Sequence, residues 1–310
     1  MKKFLRNIAL YALPVLIVAV VMEIVAEAIP NSYTYKRDYI EQNGAQIETL
    51  ILGSSNAYDG LNPNVLPHAF NLANSSQTLE DDYRLLAKYI DSMNSLRTVI
   101  VGLGYHSLGA TTEDNRRTYY TIYMDLYPRW PLSKYSFEVC NPEMLVKKII
   151  KYAVSRDVTR CDSLGQRVGH TREAAETGAE WWNKGVDALV ANDRLEIGNC
   201  RLEIEENDKL EIGNCRLAIE ENTRYLKEIV DLCNAHNVQP VIVLMPVMKE
   251  YKYRLPEKQV ALMEEVLQSL DSCAICIDAS EWEIPEDGWY NATHLTKEAS
   301  VEFTRKILRF

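Results

Sequence analysis

The segment Glu48-Thr-Leu-Ile-Leu-Gly-Ser-Ser55-Asn56 decides how the rest of the chain is read. A short apolar run stops at Gly53 and two serines, and polar residues then lead to Asn62-Pro63. A continuous apolar run of this length marks a strand of a parallel sheet, because helices cover both faces of such a sheet. In open α/β sheets the functional crevice lies just beyond the carboxyl ends of the strands. Ser55 therefore stands where a nucleophile would stand, although Gly53-Ser54-Ser55 taken alone is also an ordinary turn.

Further short apolar runs follow at residues 69–73, 97–103, 238–245 and 274–278. Segments with helical spacing of apolar residues lie between and after them, at 79–93, 219–236, 260–270 and 297–308. This alternation predicts a three-layer α/β/α sandwich around a mainly parallel five-stranded sheet. Between about 105 and 218 the pattern loosens, and Tyr119, Tyr120, Tyr123, Tyr127, Trp130, Trp181 and Trp182 accumulate. The stretch reads as an insertion partly covering the sheet's carboxyl edge. An aromatic-rich lid suits a sugar or lipid-linked substrate, and ordinary packing accounts for the same residues. Within it, residues 192–206 recur as 207–221 with changes only at Arg194/Lys209 and Glu203/Ala218. Leu-Glu-Ile flanking Gly-Asn predicts a two-residue-turn hairpin in each copy, peripheral and without catalytic meaning.

The amino terminus is a separate feature. Lys2, Lys3 and Arg6 precede a nearly unbroken apolar run at 8–22 that thins through Ile29. Residues 7–29 are just long enough to cross a hydrocarbon core of roughly 30 Å. The expected organisation is a membrane anchor at 1–30 and one α/β domain at 31–310. A secretory signal cleaved at Ala26-Glu27-Ala28 is the alternative; the length of the run and Pro30 just past that site favour an uncleaved anchor. Basic residues ahead of the span place the amino terminus in the cytoplasm and the body outside it, with the inner membrane as partner of residues 7–29. The net charge of −10 argues against nucleic acid or an anionic membrane surface as a general partner. Of the seven cysteines, Cys273 and Cys276 fall on opposite faces of a strand and read as core residues, while Cys140 and Cys161 are a pairing option in an exported protein.

Serine is a weak nucleophile without a base, and histidine is the usual one. Of five histidines, His68 and His236 sit at the amino edge of the predicted sheet and His170 in the loose insertion. His106 follows the third strand on the correct edge. His294 lies in a loop before the last helix, from which an imidazole reaches the end of the first strand.

Taken together, Gly53-Ser54-Ser55-Asn56, then Asn71-Leu-Ala-Asn-Ser-Ser76-Gln77, then Asn291-Ala-Thr-His294-Leu295 resemble the SGNH (GDSL-type) hydrolase superfamily, in order, along nearly the whole region after the anchor. The anchor followed by Ile29-Pro-Asn-Ser-Tyr33 is similar to the membrane-anchored bacterial branch linked to polysaccharide O-acylation, such as alginate O-acetylation and teichoic-acid D-alanylation proteins. The resemblance implies a flavodoxin-like SGNH fold with Ser55 as nucleophile and His294 as its base. Asn291 stands where the family has the aspartate that orients the histidine; Asp278 and Asp287 are candidate substitutes. The N–H of Ser55 and of Ser76, where the family has glycine, would form the oxyanion hole, with Asn74 in the same turn. Gly102-Leu-Gly-Tyr-His-Ser107 replaces the family's Gly-x-Asn-Asp block, so Tyr105 and His106 are the expected pocket residues. The implied function is a serine-dependent acyl-ester hydrolase or O-acyltransferase on a cell-envelope glycan, periplasmic or on the cell surface, with a membrane acyl-donor protein as partner. A catalytically degenerate, anchored carbohydrate-binding or scaffold protein is the alternative. No cofactor is expected: Gly-x-Gly-x-x-Gly and Gly-Lys-Ser/Thr are absent, and the histidines lack metal-ligand spacing.

Overall fold

Five apolar runs become five parallel strands. These are β1 (Thr49–Gly53), β2 (Ala69–Asn71), β3 (Thr98–Leu103), β4 (Gln239–Leu244) and β5 (Ile275–Asp278), in the order β2-β1-β3-β4-β5. The computed structural model describes residues 1–112, 114–156, 159–175, 179–195 and 206–309. Side chains alternate between the two faces of the sheet. Ile51, Ile100, Val243 and Ile277 enter one buried cluster with Tyr58, Leu61, Trp289 and Phe303. Leu50, Leu52, Val99, Val101 and Ile242 are buried on the other face.

The helices are α1 (Lys2–Ala28), α2 (Ser32–Asn43), α3 (Ser55–Gly60), α4 (Leu79–Tyr89), α5 (Asp114–Ile122), α6 (Pro142–Ser155), α7 (Ala179–Asp193), α8 (Glu206–Ala235), α9 (Lys249–Lys252), α10 (Glu257–Leu270) and α11 (Lys297–Ile307). A small antiparallel ribbon, β6 (Trp289–Asn291) with β7 (His294–Leu295), precedes α11. α4 packs on α8, and α3 packs on α11. Right-handed crossovers put α4, α8 and α10 on one face of the sheet and α3 and α11 on the other. The direction of winding reverses between β1 and β3, and such a switch point opens a crevice at the carboxyl ends of the two strands. Ser55 and Gly104–Ser107 emerge there.

Two glycines let α3 lie directly on β1 and β3. Gly53 has φ +125°, and a Cβ on it would come within 2.4 Å of the Gly102 carbonyl oxygen; one on Gly102 would meet the Ala57 Cβ at 2.7 Å. Only the absence of a side chain at both positions permits this approach.

The chain forms two compact units, Met1–Tyr39 with Glu113–Arg160 and Ile40–Thr112 with Cys161–Phe310. This differs from the expected division into 1–30 and 31–310, because the first half of the loose region folds with the amino-terminal helix. In that unit the Glu23 carboxylate accepts the N–H groups of Glu138 and Val139 at 2.8 and 2.9 Å, and Lys148 Nζ bonds both the Ala26 carbonyl and Glu138. Tyr120, Tyr123 and Tyr127 are buried inside it, so these rings are packing rather than an open lid; the side chains of Trp181 and Trp182 lie outside those described. α1 supplies an apolar, almost wholly exposed segment, Leu10–Ala28, long enough to cross a membrane. Cys140 and Cys161 are both free thiols.

The repeat corrects a second expectation. Residues 207–221 lie within α8 and are helical, not a hairpin; most of the first copy, 196–205, is outside the described residues. Ala218, Asn222 and Leu226, four apart, are buried along one side of the helix, and Asn222 Nδ2 donates to the carbonyls of Leu108 and Ala110 at 2.9 and 2.8 Å. Helical spacing that continues into the rest of α8 overrides the local Gly-Asn turn signal. The copy on the core carries Ala218 where the other carries Glu203, a carboxylate that this buried position would leave desolvated.

Gly53→Ala should lower the unfolding free energy by at least about 2 kcal/mol, through backbone overlap and positive φ together. Urea unfolding of the full chain checks this, and a loss below about 0.5 kcal/mol, the scale of an ordinary surface change, would contradict the close packing of α3.

Candidate active site

Ser55 is the first residue of α3, so its N–H precedes the helix's own hydrogen-bond ladder. Across the crevice, Asn291 ends β6 and His294 begins β7, with Ala292-Thr293 forming the turn between them. Asn291 Oδ1 accepts the backbone N–H groups of Thr293 and His294, both at 3.0 Å. Two N–H donors fix which end of the amide faces inward, since an amide nitrogen cannot accept. The same oxygen lies 2.9 Å from His294 Nδ1, which must then carry the proton. The lone pair of Nε2 is left facing Ser55 Oγ at 2.8 Å. This is the arrangement of a base and a nucleophile within hydrogen-bond reach. Asn56 Nδ2 donates to the Thr293 carbonyl at 2.7 Å and ties the serine-bearing helix to the histidine-bearing turn.

Burial pushes the His294 pKa down to about 4; Asp59 opposes the shift, while Arg167, His170 and His106 add to it. The imidazole is therefore neutral, and able to accept a proton, at any pH near 7.

Asp59 is a functional candidate that sequence reading missed. Four residues after Ser55 on α3, it shares that residue's side of the helix. It is 1% exposed, with Oδ2 3.7 Å from His294 Nε2, 3.3 Å from His170 Nδ1 and 3.2 Å from Arg167 Nη1. These are ion-pair distances; neither carboxylate oxygen has an aligned hydrogen bond among the described residues. Its charge faces the nitrogen that would become N–H⁺ after proton transfer. Arg167 also donates to Ser75 Oγ, and its guanidinium lies 4.7 Å over the Tyr58 ring. His170 stacks on Tyr290 with centroids 3.7 Å apart and meets the His294 ring edge-on at 6.1 Å. The segment reaches the site because a bridge pairs Cys161 with Arg167 and Gly165 presses onto the Asn71 carbonyl.

Ser54 has its own histidine. Its Oγ donates to Asn56 Oδ1 at 3.2 Å and lies 3.3 Å from His106 Nε2, and His106 Nδ1 is 3.9 Å from Asp193 Oδ2. Ser54 is buried, whereas Ser55 is half-buried, so Ser55 is the serine presented to the crevice.

The second turn supplies donors. Ser76 takes φ +54°, the left-handed region that glycine adopts freely and a serine only at a cost. Its N–H makes no hydrogen bond among the described residues. Asn74 contributes differently from expectation: its N–H is bonded to the Gly53 carbonyl at 3.3 Å and its Oδ1 to the Ser75 N–H at 3.0 Å, leaving only Nδ2 as a donor. The buried Asp82 braces the turn against β1, accepting the Gly53 N–H at 2.9 Å and the Gln77 amide; burial pushes its carboxyl pKa up to about 7.

Ser55, His294, Asn291 and His106 are thus brought together, with Ser76 and Asn74 in the turn beside β1. Tyr105 is not an open pocket residue; it is 1% exposed and packed in the core. Asp278 and Asp287 do not replace the missing carboxylate, since Asp278 caps the Ser280 N–H and Asp287 pairs with Arg172. His170, set aside as part of the insertion, belongs to the site.

No protein-family model matches this chain, and no curated protein matches it either.

Phosphonylation of Ser55 by a fluorophosphonate needs neutral His294. Its rate should hold from neutral pH down to about 5 and halve near pH 4; halving near 6.5, the ordinary imidazole value, would contradict the buried, neutral base. Asn291→Asp should raise the rate by roughly tenfold. That gain is well short of the ~10⁴ separating aspartate from asparagine where the amide selects the wrong tautomer. An unchanged rate would mean that Asp59 already supplies the stabilisation.

Proposed function

We propose that this protein is a serine-dependent acyl-ester hydrolase or O-acyltransferase of the SGNH (GDSL-type) kind, acting on a cell-envelope glycan. The observation that carries the reading is the 2.8 Å approach of Ser55 Oγ to a His294 Nε2 whose tautomer leaves it an acceptor. Ser55 Oγ attacks the acyl carbonyl carbon while its proton passes to Nε2. The tetrahedral oxyanion is held by the N–H groups of Ser55 and Ser76 and by Asn74 Nδ2. Collapse breaks the ester bond, and the leaving alkoxide takes the proton from Nε2. A sugar hydroxyl or water then gives its proton to His294 and attacks the acyl-enzyme, and Ser55 leaves with that proton. Donors aimed at the oxyanion act mainly in the transition state; loss of one typically costs about 10²–10³ in rate.

Two features support a glycan and the envelope. A cavity of about 720 Å³ beside the β6–β7 ribbon is lined by the half-buried Trp282 with Glu250, Glu281, Glu283, Glu286 and Lys249, and its carboxylates suit the hydroxyls of a sugar. An N-terminal helix long and apolar enough to cross a membrane supports an anchored protein; in this reading the body faces the envelope and a membrane acyl-donor protein is the partner.

The full chain incubated with p-nitrophenyl acetate and quenched in acid should carry one acetyl group on the Ser55 peptide, and Ser55→Ala should carry none. Acetylation that is absent, or equal in Ser55→Ala, would remove the enzyme reading and leave an anchored glycan-binding scaffold.

A further inference from the structure

The Gly53-Ser54-Ser55 turn sets two serines against two histidines. Ser55 Oγ faces His294 Nε2 at 2.8 Å, and Ser54 Oγ faces His106 Nε2 at 3.3 Å. By distance alone the second pair would serve as a base and a nucleophile too. The protons decide otherwise, and they follow from one amide. Asn56 Nδ2 donates to the Thr293 carbonyl at 2.7 Å. A carbonyl oxygen only accepts, so this amide cannot be turned, and its Oδ1 is the end that meets Ser54. On the 3.2 Å contact between Ser54 Oγ and Asn56 Oδ1, the serine's own proton is therefore the one in use. A hydroxyl has one proton and, with that committed, offers only lone pairs. The proton between Ser54 and His106 must then come from the imidazole, so His106 Nε2 is an N–H donor. His294 has the opposite assignment, because Asn291 leaves its Nε2 as an acceptor.

The result is a chain of donors that runs one way, from His106 Nε2–H to Ser54, from the Ser54 hydroxyl to Asn56, and from the Asn56 amide to Thr293. It joins the loop after β3 to the first turn of α3, and that turn to the β6–β7 loop that carries His294. Ser54 and Asn56 are both buried, where a polar group that loses its partner is not rescued by bulk water. The far nitrogen of His106 is not what holds the ring: Nδ1 is 3.9 Å from Asp193 Oδ2, too long for a hydrogen bond, and that oxygen accepts the Tyr251 hydroxyl at 2.7 Å. Gly104 makes the arrangement possible. A Cβ there would come within 2.7 Å of His106 Cε1 and 3.1 Å of Asn56 Oδ1. Glycine at this position lets the imidazole and the amide meet Ser54 from two sides.

We propose that His106 is a positioning residue: fixed as a donor to Ser54, it braces the Ser54–Asn56–Thr293 chain that aims Ser55 at His294, a role that rests on Ser55 being the nucleophile. The same bond decides between the two adjacent serines. Ser54 gives its proton to Asn56 and faces a histidine that cannot take one at Nε2, so it does not compete with Ser55.

The test follows acetylation of Ser55 by p-nitrophenyl acetate in the full chain. His106→Leu should slow it on the order of 10- to 100-fold, the scale of a misplaced reacting group. His106→Gln, whose amide can put an N–H where Nε2–H stands, should recover most of that loss. Ser54→Ala should cost about as much as His106→Leu, and the two together little more than either, since both break one chain. Equal losses in the leucine and glutamine variants, or losses that multiply in the double variant, would overturn the proposal. Should His106→Leu fail to fold, ¹⁵N NMR of the histidine-labelled, unaltered chain still decides: His106 should show a protonated Nε2 at neutral pH. Acetylation of Ser55 beside an unprotonated His106 Nε2 would remove the positioning role alone. No acetylation of Ser55 in the unaltered chain would remove the nucleophile, and the positioning role with it.

Discussion

The site depends on one amide oxygen. Asn291 Oδ1 collects the N–H groups of Thr293 and His294 and so cannot turn its nitrogen inward. An asparagine in place of aspartate is usually harmful because a freely rotating amide can select the wrong imidazole tautomer. Here the tight β6–β7 turn removes that freedom. The oxygen is held toward Nδ1, Nε2 is left as the acceptor, and Ser55 meets it.

What the amide lacks is charge, and the structure supplies that from another direction. The Asp59 carboxylate approaches Nε2 rather than Nδ1, on the side where the transferred proton would reside. A buried carboxylate is costly to desolvate, and Arg167 at 3.2 Å offsets that cost without an aligned hydrogen bond. Burial holds the His294 pKa low, with Arg167, His170 and His106 adding to the shift that Asp59 opposes. The arrangement favours neutral imidazole at rest and keeps a negative charge ready for its protonated form.

The sheet was legible because its strands are short, mainly apolar runs, three of them ended by Gly53, Gly104 and Pro246 and two by the polar residues Asn74 and Asp278, a signal that needs no partner to be read. Ser55 and His294 were legible from their places at strand and helix ends. Asp59 was not, because six residues of α3 are too short to show a helical period, and only that helix makes positions 55 and 59 neighbours. Arg167 and His170 were hidden for a different reason: a bridge and a glycine contact bring 161–170 to the site, and neither has an apolar signature. The repeat misled because Gly-Asn is a strong local turn signal, which the buried face of α8 overrides. The Tyr-rich segment reads in sequence as an insertion over the sheet's carboxyl edge, with ordinary packing as an account of its rings. The packing is found, but with the amino-terminal helix, through buried polar ties to Glu23 and Ala26 that carry no apolar period.

One unit carries the candidate catalytic groups, and the other a helix long and apolar enough to cross a membrane with its polar clamp. The most direct test of the account concerns the protonation of His294, on which the chemistry rests. In ¹⁵N NMR of histidine-labelled full chain at neutral pH, His294 should show a protonated Nδ1 and an unprotonated Nε2, with Ser55→Ala moving the Nε2 signal and titration beginning only near pH 4. A proton on Nε2, or an imidazolium at pH 7, would contradict the account.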